Sequence, residues 1–165
     1  MNIARVVKHL FTTQWKVHRL FPQPAITAIE EAIKASESSH IGEIRFVVEG
    51  ALDGSPLFNG QSTKERALDV FSHLRIWDTQ HNNGLLIYLL LADRHVEIIA
   101  DRGLHDRVGC HEWDKICREM ETAFKQKKYE AGVLSGIRAV TKHLINHFPA
   151  VGASQNELPD KPVLL

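Results

Sequence analysis

The chain has 165 residues, which suits one compact core rather than two. Hydrophobic residues at 44% and charged residues at 24% exclude wholesale disorder. A formal net charge of zero gives no global attraction to nucleic acid, so that class of partner is not expected.

Residues 1 to 21 carry Arg5, Lys8, Lys16 and Arg19 and no acid, which leaves four more acids than bases in the rest. Ile3, Val7, Leu10, Phe11 and Trp15 fall on roughly one helical face with the bases beside them. This reads as a basic amphipathic N-terminal helix or arm. It suits an anionic membrane surface or a membrane-associated protein, although an ordinary helix packed on the domain, or a mobile arm, is the plainer reading. The stretch lacks the continuous apolar run and small-residue cleavage site of a secretory signal.

From residue 22 the pattern becomes that of a domain. "FPQPAITAIEEAIKASESSH" reads as a helix, with Pro24 in its first turn and Ile26, Ile29 and Ile33 as its apolar stripe. "GEIRFVVEG" alternates, with Ile44, Phe46 and Val48 on the better-buried face and Arg45, Val47 and Glu49 on the other. "ALDGSPLFNG" is rich in turn residues and predicts a loop. Ser62 and Glu65 then form a capping box that starts a helix, with Ala67, Leu68, Phe71 and Leu74 as its inner face.

Leu85 to Ala92 is an eight-residue apolar run, far short of the about 20 residues that cross a bilayer. Apolar on both alternating faces, it predicts a central strand. The short turn at residues 92–95 makes "VEIIA" its antiparallel hairpin partner. Two helices follow, one carrying Trp113, Ile116, Cys117, Met120 and Phe124, the other running from about Tyr129 to His147. Gly132 and Gly136, one turn apart, point to close packing between them. Cys110 and Cys117 stand two turns apart, about 10 Å along a helix, beyond disulfide reach. A reduced, cytoplasmic protein is the expectation. Residues 149–165, interrupted by Pro and Gly, predict an extended tail.

A helix between the first two strands implies a right-handed parallel crossover, and the hairpin reverses the third strand. The fold class is therefore α/β, a three-layer α/β/α sandwich with a mixed, Rossmann-like sheet. That topology gathers Glu43, Asn83 with Gly84, and Asp101 with Gly103 at one rim, with Asp78 in reach. Carboxylates, an amide and glycines that admit backbone carbonyls are the oxygen ligand set of a hard cation such as Ca²⁺. Without an EF-hand loop, affinity would be weak, on the order of 10⁻⁴ to 10⁻³ M. The same residues also serve as turn chemistry. The opposite rim offers Glu49, Asp53 and the Asp93-Arg94 turn. The strand carboxyl-end rule makes Glu49 and Asp53 rivals, but the ligand set favours the first rim.

The succession "GEIRFVVEG", "ERALDVFSHL", "NNGLLIYLLLADRHVEIIADRGL" and "FKQKKYEAGVLSGIRAV" resembles the TPM domain family over about residues 22 to 148. The resemblance implies an α/β/α fold, divalent-metal binding with calcium favoured in several members, and acid phosphatase activity in a plant member. The matching positions here are Asn83 and Gly84, Asp93 and Arg94, and Gly103 with Leu104. Many members have glycine where this chain has Asp101. Many also carry a signal peptide and a transmembrane tail, neither of which the sequence shows.

The phosphatase implication meets chemical limits. A cysteine phosphatase needs arginine six residues after the nucleophile, but Ile116 and Ala123 occupy those positions after Cys110 and Cys117. Asp101-Arg102-Gly103 is not the Asp-x-Asp of an aspartyl-phosphate enzyme. What remains is metal-activated water at the acidic rim, with Arg102 neutralising phosphate. His143 and His147, four apart on a helix, lack a third zinc ligand at matching spacing. The expectation is a divalent-metal-binding module in protein or membrane maintenance. The alternatives are a metal-dependent acid phosphatase and a structural adaptor that docks a membrane partner.

Overall fold

The computed structural model describes residues 3–152 and 155–165. A four-stranded sheet in the order β3-β2-β1-β4 forms its middle layer, built from β1 (Glu43–Glu49), β2 (Gly84–Leu90), β3 (His95–Ala100) and β4 (Val163–Leu164). β1 and β2 run parallel with Glu43 opposite Gly84, and β3 runs back along β2 with Ala100 opposite Leu85. The chain therefore has the mixed α/β architecture that its sequence predicts. With a single parallel crossover between β1 and β2, "Rossmann-like" describes the sheet only loosely.

The helices preceding the sheet are α1 (Ile3–Leu10), α2 (Gln14–Leu20) and α3 (Gln23–Glu37); α4 (Gly54–Phe58) and α5 (Thr63–His73) lie between β1 and β2. After β3 come α6 (Arg102–Val108), α7 (Cys110–Lys125) and α8 (Tyr129–His147). Strand alternation sends Ile44, Phe46, Val48, Leu85, Ile87 and Leu89 to one face, where Ile29, Ile33, Met120 and Val140 of α3, α7 and α8 cover them. Val47, Leu86, Tyr88 and Leu90 face the other way, onto Ala67, Val70 and Phe71 of α5 and Leu57 of α4. Gly132 and Gly136 let α8 approach α7: a Cβ there would come within 2.7 Å of the Phe124 ring and 2.4 Å of the Met120 sulfur. Among the described residues no helix is long and apolar enough to cross a membrane.

Several elements differ from the sequence expectation. The N-terminal stretch is two helices, α2 being N-capped at Thr13. The predicted loop after β1 contains α4, and "DRGLHDRVG" holds α6, N-capped by Asp101. Leu68, expected inside, is exposed; Val70 takes its place because the helix presents Ala67, Val70 and Phe71 inward. The second face of β1 is as buried as the first, since α5 and the C-terminal tail cover it.

The tail is held down by specific bonds. Leu165 donates to Val48 O (2.9 Å), and Gly50 donates to Leu165 O (3.1 Å). The buried guanidinium of Arg45 donates to the carbonyls of Pro159 and Lys161. These bonds cap what would otherwise be an open β1 edge, a known hazard for edge-to-edge association.

Candidate functional site

The topology brings the expected residues to one rim. Glu43 donates its N–H to Asn83 O (3.3 Å), and Asp101 donates its N–H to Gly84 O (2.8 Å). The start of β1, the start of β2 and the end of β3 are thus laced together. Gly84 is required here because a Cβ would lie 2.0 Å from the Ile76 carbonyl oxygen, which rests on the strand. Gly103 plays the matching part in α6: a Cβ would come within 2.7 Å of Asn82 O and 2.9 Å of His81 O. Backbone carbonyls therefore press against the first turn of the helix that Asp101 begins.

The four side chains are engaged differently. Asp78 is exposed and pairs with Arg75 at 2.8 Å. Glu43, buried, accepts from the backbone N–H groups of Glu157 (3.1 Å) and Leu158 (3.2 Å), so the tail occupies both its oxygens. Asn83 is fully buried, donates through Nδ2 to Ile41 O (2.7 Å), and its own N–H goes to Thr79 Oγ1 (3.1 Å). Asp101 Oδ1 accepts from Arg102 N (2.6 Å). Two oxygens are left over: Asn83 Oδ1 and Asp101 Oδ2 are both buried without a hydrogen-bond partner. Strand alternation puts Asn83 in phase with Leu85 and Glu43 in phase with Val47, on opposite faces of the sheet. No three His, Cys, Asp or Glu side chains among the described residues gather closely enough to hold a metal.

Beside Glu43 lies an acidic pocket of about 360 Å³ that the sequence reading did not foresee, lined by Glu37, His40, Glu43 and Asn156 among others. Burial, reinforced by the neighbouring Asp160 and Glu43, pushes the Glu37 carboxyl up to about 8. Burial also raises Glu43, although the two tail N–H groups oppose it, and burial lowers His40 to about 4, keeping its ring neutral. Glu157 and Asp160 arrive from the tail.

At the rival rim Asp53 is exposed and its side chain makes no cap bond to α4, whereas Glu49 and Asp93 are already engaged. Glu49 accepts from Tyr88 Oη (2.5 Å) and from both Nε and Nη2 of Arg66 (2.9 and 3.0 Å), inside the core. Asp93 is held by Arg5 at 2.9 Å and His9 at 3.1 Å. Burial works against its ionisation, but the bonds from Arg5 and His9 prevail and hold the carboxyl below its usual range. His143 packs edge-on against Trp113, with Glu112 at 3.9 Å. The buried Cys117 thiol is pushed up to about 12 by burial, which makes it a poor nucleophile.

Comparison with known proteins finds relatives of this fold. No curated protein is a significant match. Among solved structures, the chain is similar to the BA42 protein of the psychrophilic bacterium Bizionia argentinensis, with 30% identity and a TM-score of 0.76. That match covers 86% of this chain and 93% of the other. The N-terminal domain of a P. gingivalis protein shares the fold at 21% identity and a TM-score of 0.64, covering 80% of this chain and 83% of that one. A family model, the TPM domain, matches residues 18–143, most of the sandwich just described. This chain belongs to the TPM domain family.

Proposed function

We propose that this domain is a divalent-cation-binding module and that a calcium-like ion is taken at the Asp101 rim. The observation that carries the reading is Asp101 Oδ2, a carboxylate oxygen buried with no hydrogen-bond donor. A buried acceptor left in that state costs about 1 to 3 kcal/mol, and a cation relieves it. Neutral oxygens that suit a hard ion lie by the start of α6: the carbonyls of His81 and Asn82 face Gly103, two residues on from Asp101. Asp101 would supply the charge and the carbonyls neutral oxygens. A bound ion would lock the 79–83 segment to the start of α6, coupling cation level to the rigidity of this rim.

Calorimetric titration with CaCl₂ tests the reading. The expected result is a dissociation constant on the order of 10⁻⁴ to 10⁻³ M, lost in Asp101→Asn, which keeps the size and cap of the side chain. Equal binding by the variant, or no binding by the parent, contradicts it. A metal-dependent phosphatase would use the same ion to activate water, so a phosphomonoester assay of the calcium-loaded protein separates binding from hydrolysis.

A further inference from the structure

The first helix is built inside out. His9, a polar residue, is its buried one, and its neighbours on the inner side are Arg5 and Val6. His9 Nδ1 accepts from Leu52 N (2.9 Å), which fixes the tautomer with a proton on Nε2, directed at Asp93 Oδ1 (3.1 Å). The apolar residues that normally drive helix docking face solvent instead. Phe11 is 81% exposed, Ile3 71%, Trp15 67% and Leu10 66%, with Val7 completing the stripe. Ile3, Val7 and Leu10 lie on α1, Phe11 just after it and Trp15 on α2, and this many exposed large apolar side chains within thirteen residues mark an interaction surface.

Charge identifies the occupant. Lys8, Lys16 and Arg94 line, with Val7, Phe11 and Leu91, a groove of about 430 Å³ between α1 and the β2–β3 turn. Arg19 lies over the Trp15 ring at 5.2 Å. No acid occurs in residues 1 to 21, and the one carboxylate lining the groove, Asp93, is tied to Arg5 and His9. A second copy seated on this face would bring two sets of bases together with no acid from either N-terminal segment to offset them. An aromatic-apolar ridge edged with lysine and arginine instead matches an anionic lipid surface, with the rings entering the headgroup boundary and the bases meeting phosphates.

We propose that α1, the 11–13 linker and the start of α2 form a docking surface for anionic membranes, with Phe11 and Trp15 inserting and Lys8, Lys16, Arg19 and Arg94 at headgroup level. The site is separate from the Asp101 rim, and docking needs no cation.

Vesicle cosedimentation of the full chain tests this, with phosphatidylcholine alone against phosphatidylcholine mixed with phosphatidylglycerol. In a Trp77→Phe background the buried Trp113 contributes a constant emission, so a blue shift on adding vesicles reports insertion of Trp15. The expected result is binding to the anionic vesicles only, weakened by salt. Lys8→Gln with Lys16→Gln should lower partitioning about 20- to 30-fold, near fivefold per charge. Phe11→Ser with Trp15→Ser should abolish it while thermal unfolding stays in place, since both side chains are exposed. Binding that ignores lipid charge, or retained binding in both double variants, overturns the proposal. So does a protein dimer through this face with no vesicle binding.

Discussion

Asp101 and Gly84 are joined by a 2.8 Å backbone hydrogen bond that ties the residue just after β3 to the first residue of β2. Because Glu43 pairs with Gly84 on the other side, one glycine separates the carboxylate that opens β1 from the one that opens α6. The Ile76 carbonyl fills the space its missing Cβ leaves. The rim is therefore made by backbone geometry, and the side chains that matter are those the backbone leaves unsatisfied.

Asp101 serves as both cap and proposed ligand, and substitutions separate the two. Asp101→Ala should cost about 1 kcal/mol in calcium-free buffer through loss of the α6 cap, measured by urea denaturation. Asp101→Asn should cost less, since its side-chain oxygen still accepts from the helix. At ten times the dissociation constant, calcium should add about 1.4 kcal/mol to the parent and nothing to either variant.

Glu37 should impose a pH dependence on stability. Its folded carboxyl sits at about 8 against 4.5 in the open chain. A raised acid favours the fold fully below the open-chain value, and that contribution is lost as pH climbs toward 8. The parent should therefore lose stability across that window, by about 1 kcal/mol after allowing for solvent screening at this partly exposed group. Glu37→Gln should flatten the profile and be the more stable protein at pH 8. Thermal melts at several pH values decide it, and parallel profiles for the two proteins would count against this account.

The Tyr88–Glu49–Arg66 group is a structural lock. Arg66→Met would leave the buried Glu49 carboxylate without its cation and should cost about 3 to 5 kcal/mol. Tyr88→Phe removes one bond to the same carboxylate and should cost about 1.5 to 3 kcal/mol. Denaturation midpoints in that order are expected, with calcium affinity unchanged, since this group lies at the other end of β1.

Removing residues 156–165 should do more than shorten a tail. It strips both oxygens of Glu43 of their N–H partners, frees the Arg45 guanidinium, and uncovers the β1 edge. The expected outcome is faster hydrogen exchange at Gly50, a lower unfolding temperature, and concentration-dependent association. An unchanged exchange rate at Gly50 would show that the tail is not held as described.

Three of the strands were legible in the sequence because Leu85 to Leu91 is apolar on both faces and the turn after it leaves room only for a hairpin, whereas β4 lies in the stretch that reads as an extended tail. The capping box at Ser62 and the close packing at Gly132 and Gly136 were legible for the same reason: each is a local rule that nothing long-range overrides. What escaped was long-range. The burial of Arg45 depends on carbonyls more than a hundred residues away, and the inverted exposure of α1 depends on His9 finding Leu52 and Asp93. The rim itself was read correctly as a meeting of Glu43, Asn83, Gly84 and Asp101 in the backbone. Their side-chain directions were not, because pleat alternation and the returning tail divide Glu43 from Asn83.

An anomalous difference map from a crystal soaked in calcium or a lanthanide tests the central claim most directly. A peak is expected about 2.3 to 2.6 Å from Asp101 Oδ2, with carbonyl oxygens of the 79–83 segment among its ligands. A rim without density, or an ion bound only in the pocket of Glu37 and Glu43, would contradict it.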